Sequence, residues 1–89
     1  MPYLVYILKC ADATLYTGIT NNLERRVWKH NNSKEGAAYT RARRPVSVLY
    51  TEEFPTKGGA MKRELEIKKY TRADKLLLIQ GKLQKEKLH

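Results

Sequence analysis

Tyr3-Leu4-Val5-Tyr6-Ile7-Leu8-Lys9, followed after a short break by Thr14-Leu15-Tyr16-Thr17-Gly18-Ile19-Thr20, is the stretch that decides the fold. The first run is rich in aromatic and branched residues and apolar on both alternating faces, with Leu4, Tyr6 and Leu8 on one and Val5 and Ile7 on the other. A strand with two apolar faces is covered on both sides, which makes it the candidate for the middle of a sheet. Ala11-Asp12-Ala13 has turn character, so the two runs read as a hairpin. Gly18 is out of place in a strand and marks a bulge or the close approach of another backbone or a ligand.

Working outward, Asn21-Asn22-Leu23-Glu24 has a capping residue with Glu three positions later, a capping-box pattern. Leu23, Val27 and Trp28 then supply an apolar stripe for a first helix that runs to His30. Asn31 to Gly36 is polar and ends it, and residues 37–44 have no periodicity, which predicts a basic loop before Pro45. Val46, Val48 and Tyr50 alternate with Ser47, Leu49 and Thr51, predicting a third strand to about Phe54. Thr56 is placed to cap a second helix with Ala60, Met61, Leu65 and Ile67 as its apolar positions. Thr71 with Asp74 starts a third helix carrying Leu76 to Ile79, and Gly81 is a plausible stop. The order β-β-α-β-α-α predicts a small α/β (α+β) protein, a three-stranded antiparallel sheet flanked by helices that bury it. Residues 1–81 form the expected domain and residues 82–89 a charged, frayed or weakly helical tail.

Eighty-nine residues suffice for one domain. Eighteen Lys and Arg against nine Asp and Glu give +9 on a chain that is 42% hydrophobic, so it can fold and still attract polyanions. Arg41, Arg43, Arg44, Lys57, Lys62, Lys68 and Lys69 are candidate phosphate contacts, with Tyr39 available to stack on a base or sugar. A single cysteine, Cys10, excludes an intramolecular disulfide, is expected to be buried at a strand end, and suits a reducing cytoplasm. The N-terminal apolar run is too short for a signal peptide or a membrane span.

Val5-Tyr6-Ile7, Tyr16-Thr17-Gly18, Leu23-Glu24-Arg25-Arg26-Val27 and His30 together resemble the GIY-YIG nuclease family, in particular its small stand-alone members, over nearly the whole chain. Asn21-Asn22-Leu23, Tyr39-Thr40-Arg41 with Arg43-Arg44-Pro45, and Arg63-Glu64 before Ile67-Lys68-Lys69 also look like this subgroup. The resemblance implies an endonuclease that hydrolyses nucleic-acid phosphodiesters, DNA being favoured, with Mg²⁺ or Mn²⁺ as cofactor. Position by position it implies catalytic roles for Tyr6, Tyr16, Arg26, His30 and Glu64, a structural role at the site for Gly18, and metal binding at Glu64. Four departures stand out. Val5 and Thr17 replace usual residues of the two triplets. Ile19 lies where several DNA-repair members carry lysine, and the asparagine that follows their glutamate has no evident match. The Val5 and Thr17 departures are mild, whereas Ile19 and the missing asparagine are consistent with the alternative, a non-catalytic nucleic-acid-binding module with a degenerate nuclease site. A ribosome-associated protein fits charge and size but gives no reason for Tyr6, Tyr16, Arg26 and Glu64 together.

The chemistry of these residues can be argued independently. Phosphodiester hydrolysis needs an activated water, stabilised phosphate charge, and a proton or metal for the leaving oxygen. Tyrosine, with an ordinary pKa of about 10, becomes a base only beside cations or a metal. Tyr6 and Tyr16 are both candidates, and the resemblance favours Tyr16. Arg26 and His30 lie one helical turn apart and share a face from which both could reach a phosphate, while Arg25 points elsewhere. Glu64 lies between Met61 and Ile67, beside the apolar stripe. Glu66 aligns with the more polar Lys62 and Tyr70. The ordinary alternative for Glu64 is an i, i+4 pair with Lys68.

Overall fold

A computed structural model describes residues 2–82 of the chain. The expected tail, apart from Lys82, lies outside the described residues. The elements are β1 (Tyr3–Lys9), β2 (Leu15–Thr20), α1 (Leu23–Asn32), α2 (Ala38–Arg41), β3 (Ser47–Phe54), α3 (Lys57–Lys68) and α4 (Arg72–Ile79). The sheet order is β2-β1-β3 with both pairings antiparallel, so the doubly apolar strand is central as its pattern requires.

The two faces of β1 bury different sets of residues. Val5 and Ile7 join Ala60 and Ile67 of α3 in a fully buried cluster, against which Ile19, Tyr50, Phe54, Leu78 and Ile79 pack. Tyr6 and Leu8 belong to the opposite cluster, with Cys10 and Val46, under Leu23 and Val27 of α1. Each such aliphatic side chain contributes about 1.5–3 kcal/mol when fully buried, so Ile7→Asp would break the sheet-to-helix layer outright. Among the described residues no helix is long and apolar enough to cross a membrane.

Caps fix the helix ends. Asn22 rather than Asn21 caps α1, its side chain accepting from the Arg25 amide, so the expected box with Glu24 does not form. The helix runs past His30 to Asn32. Its buried side is Leu23, Val27 and His30, spaced four and three apart. Trp28, one residue and about 100° beyond Val27, is 60% exposed and does not join the stripe. Thr56 and Thr71 cap α3 and α4 as expected, accepting from the Gly59 and Asp74 amides. In α3 only Ala60 and Ile67 are buried. Met61 and Leu65, expected in the stripe, lie on the solvent side. Gly81, at φ +72°, ends α4 with its amide on the Leu78 carbonyl.

Two expectations along residues 37–54 are corrected. The basic stretch contains a one-turn helix, α2, too short to show periodicity. It is held by the Thr40 hydroxyl and amide on the Ala37 carbonyl and by the packing of Thr40 in the interior. The third strand begins at Ser47, and a bulge opposite Ile7 and Leu8 breaks its alternation, leaving Val48 and Leu49 at the surface while Val46 is buried just before it. Asn31 ties this entry to α1, its amide accepting from the Val46 N–H at 2.7 Å and donating to the Val46 carbonyl at 3.1 Å.

Candidate active site

The site is built on the α1 face of the hairpin. Tyr6 pairs with Gly18 across β1 and β2, and Tyr16 pairs with Leu8, so Tyr6, Tyr16 and Gly18 share this face. The Tyr6 ring crosses residue 18 so closely that a Cβ there would lie 2.7 Å from its Cζ. That explains the glycine: what approaches it closely is a side chain from the neighbouring strand. Gly36 does the same for the backbone. It is buried, and a Cβ would lie 2.8 Å from the Lys29 carbonyl oxygen and 2.9 Å from the His30 Cα.

His30 is completely buried and turned towards Tyr6. Its Nε2 is 2.9 Å from the Tyr6 hydroxyl and its Nδ1 is 2.8 Å from the Thr40 hydroxyl. The proton positions follow from the last member of the chain. Thr40 donates its single proton to the Ala37 carbonyl at 2.9 Å, so it accepts from Nδ1–H. Nε2 is therefore the bare nitrogen, and Tyr6 donates to it. Burial, reinforced by the charges of Arg26 and Arg44, pushes His30 down to about 4, which keeps it neutral. Burial likewise pushes the Tyr6 phenol up to about 12, against the opposing Arg26 guanidinium and with Tyr16 and Glu64 adding to the rise.

Tyr16 is half-buried and lies at the centre of the aromatic group. Its ring meets His30 edge-on at 5.2 Å, tilts against Tyr6 at 6.4 Å and stacks on Tyr39 at 6.0 Å. Tyr39 in turn carries the Arg43 guanidinium 3.9 Å from its ring centre, so the ring expected to stack on a base is already packed by protein. Arg26 donates to the Glu35 carbonyl at 3.2 Å while lying close enough to Tyr6 and His30 to shift both. The expectation that Arg26 and His30 both reach a phosphate is corrected: His30 is enclosed. Arg25, expected to point elsewhere, lines with Arg26 and Lys29 a cleft of about 390 Å³ completed by Thr20, Asn21 and Asn22.

The basic loop divides. Arg43 bonds Asp12 at 3.0 Å and the Tyr39 carbonyl at 2.8 Å, and Arg44 donates to the His30 and Ser33 carbonyls at the end of α1. Both are committed to structure, whereas Arg41 and Lys69 are exposed. Lys68 is exposed too, but its Nζ pairs with Glu64 at 3.3 Å. Glu64 lies four residues after Ala60 and three before Ile67, so it flanks the buried face of α3 for a different reason than the Met61 spacing suggested. Its side chain is 18% exposed, against 56% for Glu66, which pairs with Arg63. Among the described residues no three His, Cys, Asp or Glu side chains form a metal cage. A Mg²⁺ site of one carboxylate, waters and substrate phosphate needs none, and the hard, partly shielded oxygen of Glu64, whose charge is felt at the Tyr6 phenol, fits that kind of ion.

The family model for the GIY-YIG catalytic domain matches residues 2–77, which span every one of these side chains. The chain belongs to the GIY-YIG family. This GIY-YIG chain is 55% identical over 78 residues to a UPF0213 protein of Staphylococcus epidermidis, covering 88% of this chain and 94% of that protein. It is 54% identical over 77 residues to a UPF0213 protein of Natronomonas pharaonis, covering 86% and 89%. Among solved structures it resembles the solution structure of a UPF0213 protein from Bacillus halodurans, with a TM-score of 0.60 at 41% identity over 99% of this chain and 93% of that one. A protein of E. faecalis matches with a TM-score of 0.64 at 38% identity, covering 91% and 85%. The family is one of nucleases, and its domain makes nucleic acid the natural substrate class. Thr40 is the site residue to which sequence reasoning assigned no role. Only its place beside Tyr39, within a stretch shared with the subgroup, marked it.

Proposed function

We propose that this GIY-YIG domain, residues 1–81 with residues 82–89 as an appended tail, is a metal-dependent endonuclease that hydrolyses nucleic-acid phosphodiesters, DNA being the favoured substrate. The observation that carries the reading is the buried Tyr6–His30–Thr40 hydrogen-bond chain, anchored on the Ala37 carbonyl, with the Tyr6 ring against Tyr16 and its hydroxyl within the influence of the Arg26 and Glu64 charges. A merely structural tyrosine needs one partner. Here a neutral histidine is held in one tautomer to fix the Tyr6 hydroxyl, which is the kind of positioning that catalytic geometry requires.

The roles follow from access and charge. Arg26, Arg25 and Lys29 draw the backbone into the cleft, and Arg26 stabilises charge that grows on the phosphate. Tyr6 is buried, its proton is directed to His30 and its phenol is raised to about 12, so it positions and does not ionise. Tyr16 is the half-exposed member of the pair, and in its phenolate form it takes the proton of the attacking water, returning to the neutral phenol. Gly18 leaves the space that Tyr6 fills. A divalent cation held by Glu64, Mg²⁺ or Mn²⁺, would supply positive charge to the phosphate and the departing oxygen. Lys68 and Lys69, with Arg41, extend the phosphate-binding surface, while Tyr39, Arg43 and Arg44 act through packing of the site. A buried thiol at Cys10 suits a reducing cytoplasm.

The test is incubation of purified protein with labelled duplex DNA, single-stranded DNA and RNA, with Mg²⁺ or Mn²⁺ and with chelator. Arg26→Ala controls for contaminating nuclease. Metal-dependent cleavage that falls at least about a hundredfold in Arg26→Ala supports the reading. Tight binding without cleavage by the parent protein selects the degenerate binding module instead.

A further inference from the structure

Beside the phosphate cleft, and sharing Asn22 and Arg25 with it, lies a second concavity of about 300 Å³ lined by Asn22, Glu24, Arg25 and Trp28. We infer that it is a base-binding subsite that receives an unpaired base next to the phosphate held by the cleft and favours guanine. The inference rests on the nuclease reading only in taking nucleic acid as the ligand.

The two neighbouring concavities differ in chemistry. The cleft presents Arg25, Arg26 and Lys29 and no carboxylate, which suits a phosphate. The second presents an indole, a guanidinium, an amide and one carboxylate. A phosphate would be repelled there by Glu24, whereas a base offers two flat faces and a polar edge. Trp28 is the chain's single tryptophan and is 60% exposed on a helix whose apolar side is already complete without it. An aromatic ring in that position gains from stacking on a base, and an arginine three residues away adds a planar cation to the same stack. The volume sits at the lower end of the roughly 300–1,000 Å³ typical of small-molecule sites, enough for one planar heterocycle.

Glu24 supplies the selectivity. Because Asn22 caps α1, the Glu24 carboxylate is not engaged in a capping box, and among the described residues it has no ion pair or hydrogen bond. A carboxylate only accepts. Guanine's pairing edge has two adjacent N–H donors that match its two oxygens, adenine and cytosine have one amino group there, and thymine has no amino group. A matched pair of this type discriminates by about 1–3 kcal/mol, roughly five- to 150-fold. That edge is free only on an unpaired base, so the subsite selects single-stranded or extruded nucleotides.

The experiment is done without metal, so it can succeed or fail whether or not cleavage occurs. Short oligothymidylate, the same oligomer with one central guanine, and a blunt duplex are titrated into the protein, following Trp28 fluorescence and, separately, anisotropy of labelled DNA. The guanine oligomer is expected to quench the indole and to bind about tenfold tighter than oligothymidylate, the duplex leaving fluorescence unchanged. Trp28→Ala should weaken single-strand binding by about tenfold and spare duplex binding, with Trp28→Phe recovering part of it. Glu24→Gln should abolish the guanine preference without weakening oligothymidylate binding. Equal quenching by all three ligands, or a guanine preference that survives Glu24→Gln, overturns the inference. So does sedimentation showing that Trp28→Ala converts a dimer to a monomer, which would make this face a contact between copies of the chain.

Discussion

The Tyr6 hydroxyl lies 2.5 Å from the point a Cβ on residue 18 would occupy, so the two paired residues form one packing unit. Gly18→Ala must displace the phenol, and with it the hydrogen bond to His30. Overpacking of this kind costs about 1–3 kcal/mol, and the expected result is a folded protein of lowered melting temperature. Cleavage should fall about a hundredfold, as expected when a positioning group moves by an ångström. Gly58 is the control: nothing lies within 4 Å of a Cβ there, and in the first turn of α3 Ala should be neutral or mildly stabilising. Thermal denaturation and single-turnover cleavage of the two variants check both halves.

Burial of His30 makes stability depend on pH with a definite sign. The folded chain keeps the ring neutral down to about pH 4, whereas the unfolded chain takes up a proton near the ordinary 6.5. Between those values the unfolded state binds more protons, so the contribution is full above about pH 6.5 and is lost as pH falls towards 4. A shift of this size corresponds to roughly 3 kcal/mol. Urea titrations across the range on the parent and on His30→Gln should show a steeper acid loss in the parent. The difference between them separates His30 from Asp12 and Glu35, whose lowered carboxyls also lose stability in acid.

The readable parts of the fold were those with a local cause. Apolar residues on both faces of Tyr3–Lys9 were enough to centre that strand, and Thr56 and Thr71 announced their helices by hydroxyls at the right place. What the sequence hid depends on contacts between distant segments. The Leu49 bulge follows from pairing with Ile7 and Leu8, α2 is held by Thr40 reaching His30, and Arg44 looks like a phosphate contact until it is seen on the carbonyls of α1. The candidate site was legible as a set of residues but not as an arrangement. One-turn spacing put Arg26 and His30 on one face, and only the packing of α1 on the sheet turns one towards the cleft and the other into the interior.

Thr17 has a buried hydroxyl with no hydrogen-bond partner among the described residues. It pairs with Ile7 on the α3 face, away from Tyr6, in an apolar environment. An unsatisfied buried hydroxyl costs about 1–3 kcal/mol, which Thr17→Val removes at almost constant shape. The variant should be about 1 kcal/mol more stable, read as a higher urea midpoint at unchanged slope. Cleavage should be nearly unaffected, because the side chain faces away from Tyr6 and Tyr16 and the isosteric change leaves the packing of α3 in place.

Glu64 and Glu66 are two residues apart on α3 and separate an enzyme from a binder. Glu64 is the more shielded, and its charge acts on Tyr6, whereas Glu66 is paired with Arg63 in the network that joins α3 to Glu52 of β3. If Glu64 holds the metal, Glu64→Gln should cut at least about a hundredfold more slowly, and excess Mg²⁺ or Mn²⁺ should only partly restore the rate. Binding of duplex DNA in chelator should be unchanged or tighter, since the substitution removes a negative charge from a chain at +9 and frees Lys68. Glu66→Gln should cleave normally, its surface pair contributing at most about 1 kcal/mol to stability. Cleavage rates and binding isotherms for the two variants, taken side by side, check this. Loss of activity in Glu66→Gln alone would move the metal to the other face of α3, and full activity in both would remove α3 from the chemistry.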